Sequence, residues 1–203
     1  DHIAPKGTAS TQGSSSTQVW LNQFNVTIPV GYGKWQKDKR YDLPVATVYA
    51  DFRLHNDRRA DADSGTRNGD FVDINGDGFT DFYYGRDGRT PRLFLNKGVV
   101  CLLVDTNTCW SEVTDKKYFP PANVFQGNGI RKGIFLDVNA DGLPDFLGSD
   151  FCYFNTGGIS SRVGGDGWQR SDECKPPVNL TGNEGRNWGR FYDVNADGLI
   201  DFI

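Results

Sequence analysis

Oxygen-bearing side chains recur at one fixed spacing in three nonapeptides, 73–81, 137–145 and 193–201. They read Asp-Ile-Asn-Gly-Asp-Gly-Phe-Thr-Asp, Asp-Val-Asn-Ala-Asp-Gly-Leu-Pro-Asp and Asp-Val-Asn-Ala-Asp-Gly-Leu-Ile-Asp. Carboxylate or amide oxygens fall at positions 1, 3, 5 and 9, with glycine at position 6. A hard cation such as Ca²⁺ takes six to eight oxygen ligands in flexible geometry, and this spacing offers them. In the first copy the donors are the side chains of Asp73, Asn75, Asp77 and Asp81 and the backbone carbonyl of Phe79. In the second they are Asp137, Asn139, Asp141 and Asp145 with the Leu143 carbonyl; in the third, Asp193, Asn195, Asp197 and Asp201 with the Leu199 carbonyl. About three Ca²⁺ sites are therefore expected. Gly78, Gly142 and Gly198 supply the positive φ that turns the chain around an ion. Without a cation, three carboxylates crowded into one loop repel each other.

The elements that position these loops follow from their flanks. The loops are shorter than an EF-hand loop, which runs to position 12 between helices. Each is preceded by Gly-x-Phe-apolar (Gly69, Phe71, Val72; Gly133, Phe135, Leu136; Gly189, Phe191, Tyr192) and followed by Phe82, Phe146 or Phe202. Short aromatic and β-branched runs beside a turn signal predict strands, so each loop joins two antiparallel strands.

A second signature keeps step with the loops. An apolar strand ends in asparagine at Asn22, Asn96 and Asn155; a tryptophan follows at Trp35, Trp110 and Trp168; a proline follows at Pro44, Pro120 and Pro176. Asn96 and Asn155 are 59 residues apart, whereas Asn22 and Asn96 are 74 apart. The excess falls between Pro44 and Asp73, which places an insertion at about 51–68, rich in Asp and Arg, as a solvated or recognition loop. In the second unit, strands are expected at 91–96, 130–137, 145–148 and 100–104. No window sustains a helical period. Units of about 60 residues with several short strands predict an all-β fold of β-propeller-type repeats. About three blades are present (units 17–90, 91–150 and 151–203), as part of a larger or multi-chain propeller.

The Gly-x-Phe lead-in, the Asp-x-Asn-x-Asp-Gly-x-x-Asp loop and the Leu-Asn strand together resemble the FG-GAP/VCBS repeat family, which includes the calcium-binding β-propeller of integrin α subunits. The resemblance spans roughly residues 17 to 203. It implies that the loops bind Ca²⁺ and pin a hairpin within each blade, and that the module displays loops to protein or glycan ligands.

The 203 residues carry a formal charge of −4, and three bound Ca²⁺ ions would bring this to about +2. Nothing in this balance calls for nucleic acid. No apolar run is long enough to span a membrane, so no membrane insertion is expected. The chain contains no methionine, which reads as processing or as a piece of something longer. The Ser/Thr/Gly-rich residues 1–16 read as a flexible leader, and the end at Ile203 leads us to expect that further chain or another copy completes the last sheet. Cys101, Cys109, Cys152 and Cys174 are expected as disulfides in an oxidising compartment. Local pairs, Cys101–Cys109 and Cys152–Cys174, keep each bridge within one unit, though two other connectivities are open. Asn25 and Asn179 head glycosylation sequons. An extracellular or cell-surface location follows from the cysteines and the loops together.

No catalytic residues stand out. The two histidines, His2 and His55, lie near the terminus and in the charged insertion, and the paired carboxylates belong to the loops. A binding or adhesion module for a protein or glycan ligand is the leading reading, and no enzymatic activity is expected. A structural subunit of an extracellular filament, coat or secreted toxin assembly, built from further copies of the chain, is the alternative; part of a secreted enzyme is the third. The tryptophans serve packing between blades in one reading and stacking on sugar rings in the other.

Overall fold

The computed structural model describes residues 2–5, 17–22, 35–43, 69–103, 108–127, 129, 131–157, 167–176, 180 and 190–203. The charged insertion at 51–68 and the sequon residues Asn25 and Asn179 lie outside the described residues.

The fold is all-β and antiparallel. β1 (His2–Pro5), β2 (Thr17–Asn22) and β3 (Trp35–Lys37) form the first sheet. β4 (Gly69–Val72), β5 (Asp81–Tyr84), β6 (Arg92–Asn96) and β7 (Trp110–Val113) form a four-stranded second sheet in sequential order. β8 (Gly133–Leu136), β9 (Asp145–Gly148), β10 (Cys152–Asn155) and β11 (Trp168–Arg170) repeat that order in a third. β12 (Phe191–Tyr192) and β13 (Asp201–Phe202) pair as a final hairpin. Among the described residues no sheet closes into a barrel.

Each acidic nonapeptide joins two antiparallel strands, as expected, but it opens a sheet rather than closing one. β4–loop–β5 pairs with the following asparagine strand, β6, so the hydrogen-bonded sheets are cut differently from the units 17–90, 91–150 and 151–203. The strand expected at 100–104 is instead a single α-helical turn, α1 (Val100–Leu103). It lies within the short bridge Cys101–Cys109, and β7 begins only after that bridge. Both local disulfides, Cys101–Cys109 and Cys152–Cys174, are formed. They match an oxidising environment.

The spacing of asparagine and tryptophan is a hairpin register. Asn22 pairs with Trp35, Asn96 with Trp110 and Asn155 with Trp168. The Gly-x-Phe and Asp-Phe signatures likewise meet across each loop hairpin. Phe71 faces Phe82, Phe135 faces Phe146, and Phe191 faces Phe202, with ring centroids 5.1, 5.3 and 5.0 Å apart. Cross-strand aromatic pairs at this distance add to sheet stability beyond the area they bury.

β1 occupies a place equivalent to β5 and β9. It pairs His2 with Trp20, two residues before Asn22; β5 pairs Phe82 with Phe94, two before Asn96; β9 pairs Phe146 with Tyr153, two before Asn155. Residues 2–5, read as part of a flexible leader, are thus a paired strand, while 6–16 lie outside the described residues. The signal was present in the sequence: Asp-His-Ile at 1–3 parallels Asp-Phe-Ile at 201–203.

Because strand side chains alternate between faces, the two complete sheets are buried on both sides. Phe82, Tyr84, Phe94 and Trp110 pack with Leu43 on one face of the second sheet. From its other face Val72, Ile74, Tyr83 and Leu93 pack against Phe146, Phe135, Tyr153 and Trp168 of the third sheet. The far face of the third sheet, with Leu147 and Cys152, meets Phe191 and Phe202 of the final hairpin. The second sheet, the third sheet and the final hairpin are therefore stacked in that order.

The tryptophans belong to this stacking. Trp110 is buried, and its Nε1–H donates to the Tyr41 carbonyl at 3.0 Å, in a 3-10 turn (Lys39–Tyr41) that follows β3. Asp38 caps that turn by accepting from the Arg40 N–H. A second 3-10 turn, Lys116–Tyr118, is capped in the same way by Asp115. Trp168 packs between sheets but its buried Nε1–H makes no hydrogen bond. Trp35 and Trp20 lie in strands β3 and β2; Trp188 lies outside the described residues. Two expectations follow. Trp110→Phe should cost about 1 kcal/mol more than Trp168→Phe in urea denaturation, since only the first loses a net hydrogen bond. Phe146→Ala, which empties the layer between the two complete sheets, should cost roughly 3–5 kcal/mol.

Candidate metal centre

The three nonapeptides fold into one geometry. In the first, the Asp77 and Gly78 N–H groups donate to the two carboxylate oxygens of Asp73, at 3.1 and 2.7 Å. The Phe79 N–H donates to Asp77 Oδ1 at 2.9 Å. Asn75 accepts from the Asp77 N–H through Oδ1 at 3.2 Å and donates through Nδ2 to Asp77 Oδ2 at 2.9 Å. The same bonds recur around Asp137, Asn139, Asp141 and Leu143. They recur again around Asp193, Asn195, Asp197 and Leu199. The fold thus brings together the expected residues at positions 1, 3 and 5 of every loop.

The backbone has two left-handed residues per loop. Position 6 has φ of 86 to 87° at Gly78, Gly142 and Gly198. Position 4 has φ of +70° at Gly76, +57° at Ala140 and +61° at Ala196. The two alanines are the only non-glycine residues with positive φ among the described residues. Left-handed backbone costs an L-residue roughly 1–2 kcal/mol, so the loop's hydrogen bonds must hold them there. The first loop differs for a steric reason. A β-carbon on Gly76 would stand 2.6 Å from Leu143 Cδ2 of the second loop. The first and second loops are therefore neighbours on one rim of the stack.

Position 9 is set apart from the rest. Asp81 and Asp145 are fully buried. Asp81 accepts from the Ile74 N–H at 3.0 Å with one oxygen and from the Asn96 N–H at 2.8 Å with the other. Asp145 does the same with Val138 at 3.1 Å and Asn155 at 2.8 Å. Asp201 accepts from the Val194 N–H at 2.9 Å. In the complete sheets each of these carboxylates ties loop entry to the end of the asparagine strand. Burial pushes Asp81 up to about 7 and Asp145 up to about 6; two backbone N–H bonds oppose the rise, and the neighbouring loop aspartates add to it. By contrast the exposed Asp197 is held below its ordinary value by the Leu199 N–H and the Asn195 amide.

These features suit a cation. Along its nine residues each loop carries three carboxylates, an amide oxygen and a position-7 carbonyl, an all-oxygen set of the kind Ca²⁺ accepts. Among the described residues no three carboxylate, imidazole or thiolate groups converge closely enough to hold an ion by themselves. A buried carboxylate bonded only to neutral N–H groups is costly to ionise, and a nearby divalent cation reverses that cost. Each carboxylate oxygen at position 9 retains a lone pair beyond its N–H bond.

Residues the sequence reading left unassigned complete the arrangement. The Asn96 and Asn155 side-chain oxygens cap the Gly98 and Gly157 N–H groups, each at 3.0 Å. Asn155 Nδ2 also donates to the Ile74 carbonyl of the first loop at 2.9 Å. Three arginines stand close together in sequence after the first loop, Arg86, Arg89 and Arg92; Arg92 is bidentate to Glu112, and Arg86 donates to the Gly127 carbonyl at 3.1 Å.

Replacing Asp145 by Asn turns an acceptor into a donor facing a backbone N–H. It should destabilise the protein by about 1–3 kcal/mol in chemical denaturation. Gly142→Ala meets no atom within 4 Å, so its expected loss of roughly 1–2 kcal/mol is a pure backbone effect.

No family model matches the chain, and neither curated proteins nor solved structures show a match. The case for a cation stands on the donor set and backbone shared by the three loops.

Proposed function

We propose that this chain is an extracellular, calcium-binding β-propeller-type module that binds a protein or glycan ligand and carries no catalytic activity. The observation that supports it most directly is the threefold recurrence of one loop geometry with an all-oxygen donor set. Two disulfides in the same chain favour the oxidising, calcium-rich exterior, where such sites fill. A site with free Ca²⁺ at 1,000 times its dissociation constant stabilises the fold by about 4 kcal/mol. The ion's role is to hold a hairpin and its neighbour in place.

The ligand surface is expected on the elements that vary between repeats. The bridge Cys101–Cys109 rigidifies α1, which with the turn before it presents Val99, Val100 and Leu103 to solvent, the last at 82% exposure. Phe79, at position 7 of the first loop, packs over Gly98 at the base of this turn. A cation in the first loop would thus steady an apolar, disulfide-framed tip.

Calorimetric titration of the chelated protein with CaCl₂ should show about three sites, and EDTA should lower the melting temperature. Asp137→Ala should remove part of that stabilisation. A melting temperature indifferent to EDTA would sink the calcium reading. Binding to glycan arrays and to intact cells should require Ca²⁺ and weaken in Leu103→Asp. Loss of every interaction with calcium binding intact would leave a scaffold rather than a binding module.

A further inference from the structure

Buried hydrogen bonds join the first two loops to each other, and Asn155 is the crossing point. Its backbone N–H donates to Asp145 Oδ1, at position 9 of the second loop, at 2.8 Å. Its side-chain amide donates to the Ile74 carbonyl, at position 2 of the first loop, at 2.9 Å. The Ile74 N–H in turn donates to Asp81 Oδ2, at position 9 of that loop, at 3.0 Å. One continuous run therefore leads from Asp145 to Asp81 through a residue that is 4% exposed. Asn96, the counterpart of Asn155 one repeat earlier, keeps its amide within its own repeat, on the Thr80 carbonyl at 3.2 Å.

The two loops also touch directly. Leu143, at position 7 of the second, sets Cδ2 against Gly76 of the first, where a β-carbon would stand 2.6 Å away, and Cδ1 over Gly157, where one would stand 3.3 Å away. Alanine holds the Gly76 place in the second and third loops, with φ of +57° at Ala140 and +61° at Ala196. Glycine in the first loop is thus required by the neighbour and not by the turn. The Arg131–Asp70 ion pair, at 2.8 Å, ties the residues entering β8 to β4, so the strands that lead into the two loops are held together as well.

We propose, on the calcium reading above, that the first and second loops take up their cations cooperatively, with Asn155 and Leu143 as the positioning residues that couple them. A loop must order its carboxylates to hold an ion, and ordering costs conformational entropy. Fixing Asp145 fixes the Asn155 backbone, and the Asn155 amide fixes the Ile74 end of the first loop. Whichever loop fills first therefore orders part of the other, which then has less ordering left to undergo. Such coupling is reciprocal by thermodynamic necessity.

Amide hydrogen exchange, read by mass spectrometry on peptides covering 73–81 and 137–145 during a CaCl₂ titration, follows each loop separately. In the wild type the two loops should gain protection at a shared midpoint. Asp77→Ala, which disables the first loop, should raise the midpoint of the second about fivefold or more, and Asp141→Ala should likewise raise that of the first. In an Asn155→Ala background both shifts should shrink. Gly76→Ala is the milder probe, because alanine already holds this place in the other two loops. It should split the shared midpoint in two, and adding Leu143→Ala should bring the midpoints back together. Protection of both loops at midpoints indifferent to Asp77→Ala and Asp141→Ala would overturn the coupling and leave the calcium reading standing. Protection of neither loop would overturn both. Undiminished shifts in the Asn155→Ala background would strip Asn155 of the role given to it here.

Discussion

A buried carboxylate at the end of each loop organises the repeat. Asp81 and Asp145 each spend both oxygens on backbone N–H groups from two separate places, the second residue of the loop and the end of the next asparagine strand. Those bonds fix where the loop begins and where the third strand ends, and they join hairpin to sheet. The arrangement is electrostatically incomplete, because two neutral N–H groups do not offset the removal of a charge from water. The pressure to ionise late, visible in both residues, is the same pressure that makes a nearby cation favourable. The fold and the proposed cation site therefore meet in a single side chain.

From that staple the stacking follows. With loop and asparagine strand locked together, Phe71–Phe82 and Phe135–Phe146 are held as cross-strand pairs on one face of their sheets. The opposite face is left to be covered by the next sheet. Beside the Arg131–Asp70 ion pair, three contacts of defined chemistry tie neighbours together: the Trp110 indole on Tyr41, the Asn155 amide on Ile74, and Leu143 against Gly76. Two of these three involve a loop, which makes the loops structural joints between neighbours as well as turns within one sheet.

Much of this was legible in the sequence, and the parts that were not have a common cause. The loops, their glycines and their flanking strands are local patterns, and local patterns survive translation into structure. β9 was expected at 145–148, where it stands. Which strand a hairpin joins is a long-range fact, so the frame in which loops open sheets could not be read from their order along the chain. The turn at Val100–Leu103 has strand-like composition, but the eight-residue bridge Cys101–Cys109 imposes a compact path. β1 was hidden because its partner lies beyond a Ser/Thr/Gly-rich stretch. The double role of Asp81 and Asp145 was also invisible: a ligand pattern specifies oxygens but does not say which way they face.

The pairing of asparagine with tryptophan has a consequence for how such a chain can change over time. In two complete sheets the register Asn96–Trp110 and Asn155–Trp168 is preserved, while the connection between the partners differs in length, in sequence and in whether a disulfide frames it. The entropic cost of lengthening a closed connection grows only logarithmically. Mutation can therefore rewrite these segments freely so long as the two end residues meet. The repeat separates a fixed strand register from connections whose length and sequence can change without passing through an unfolded ancestor.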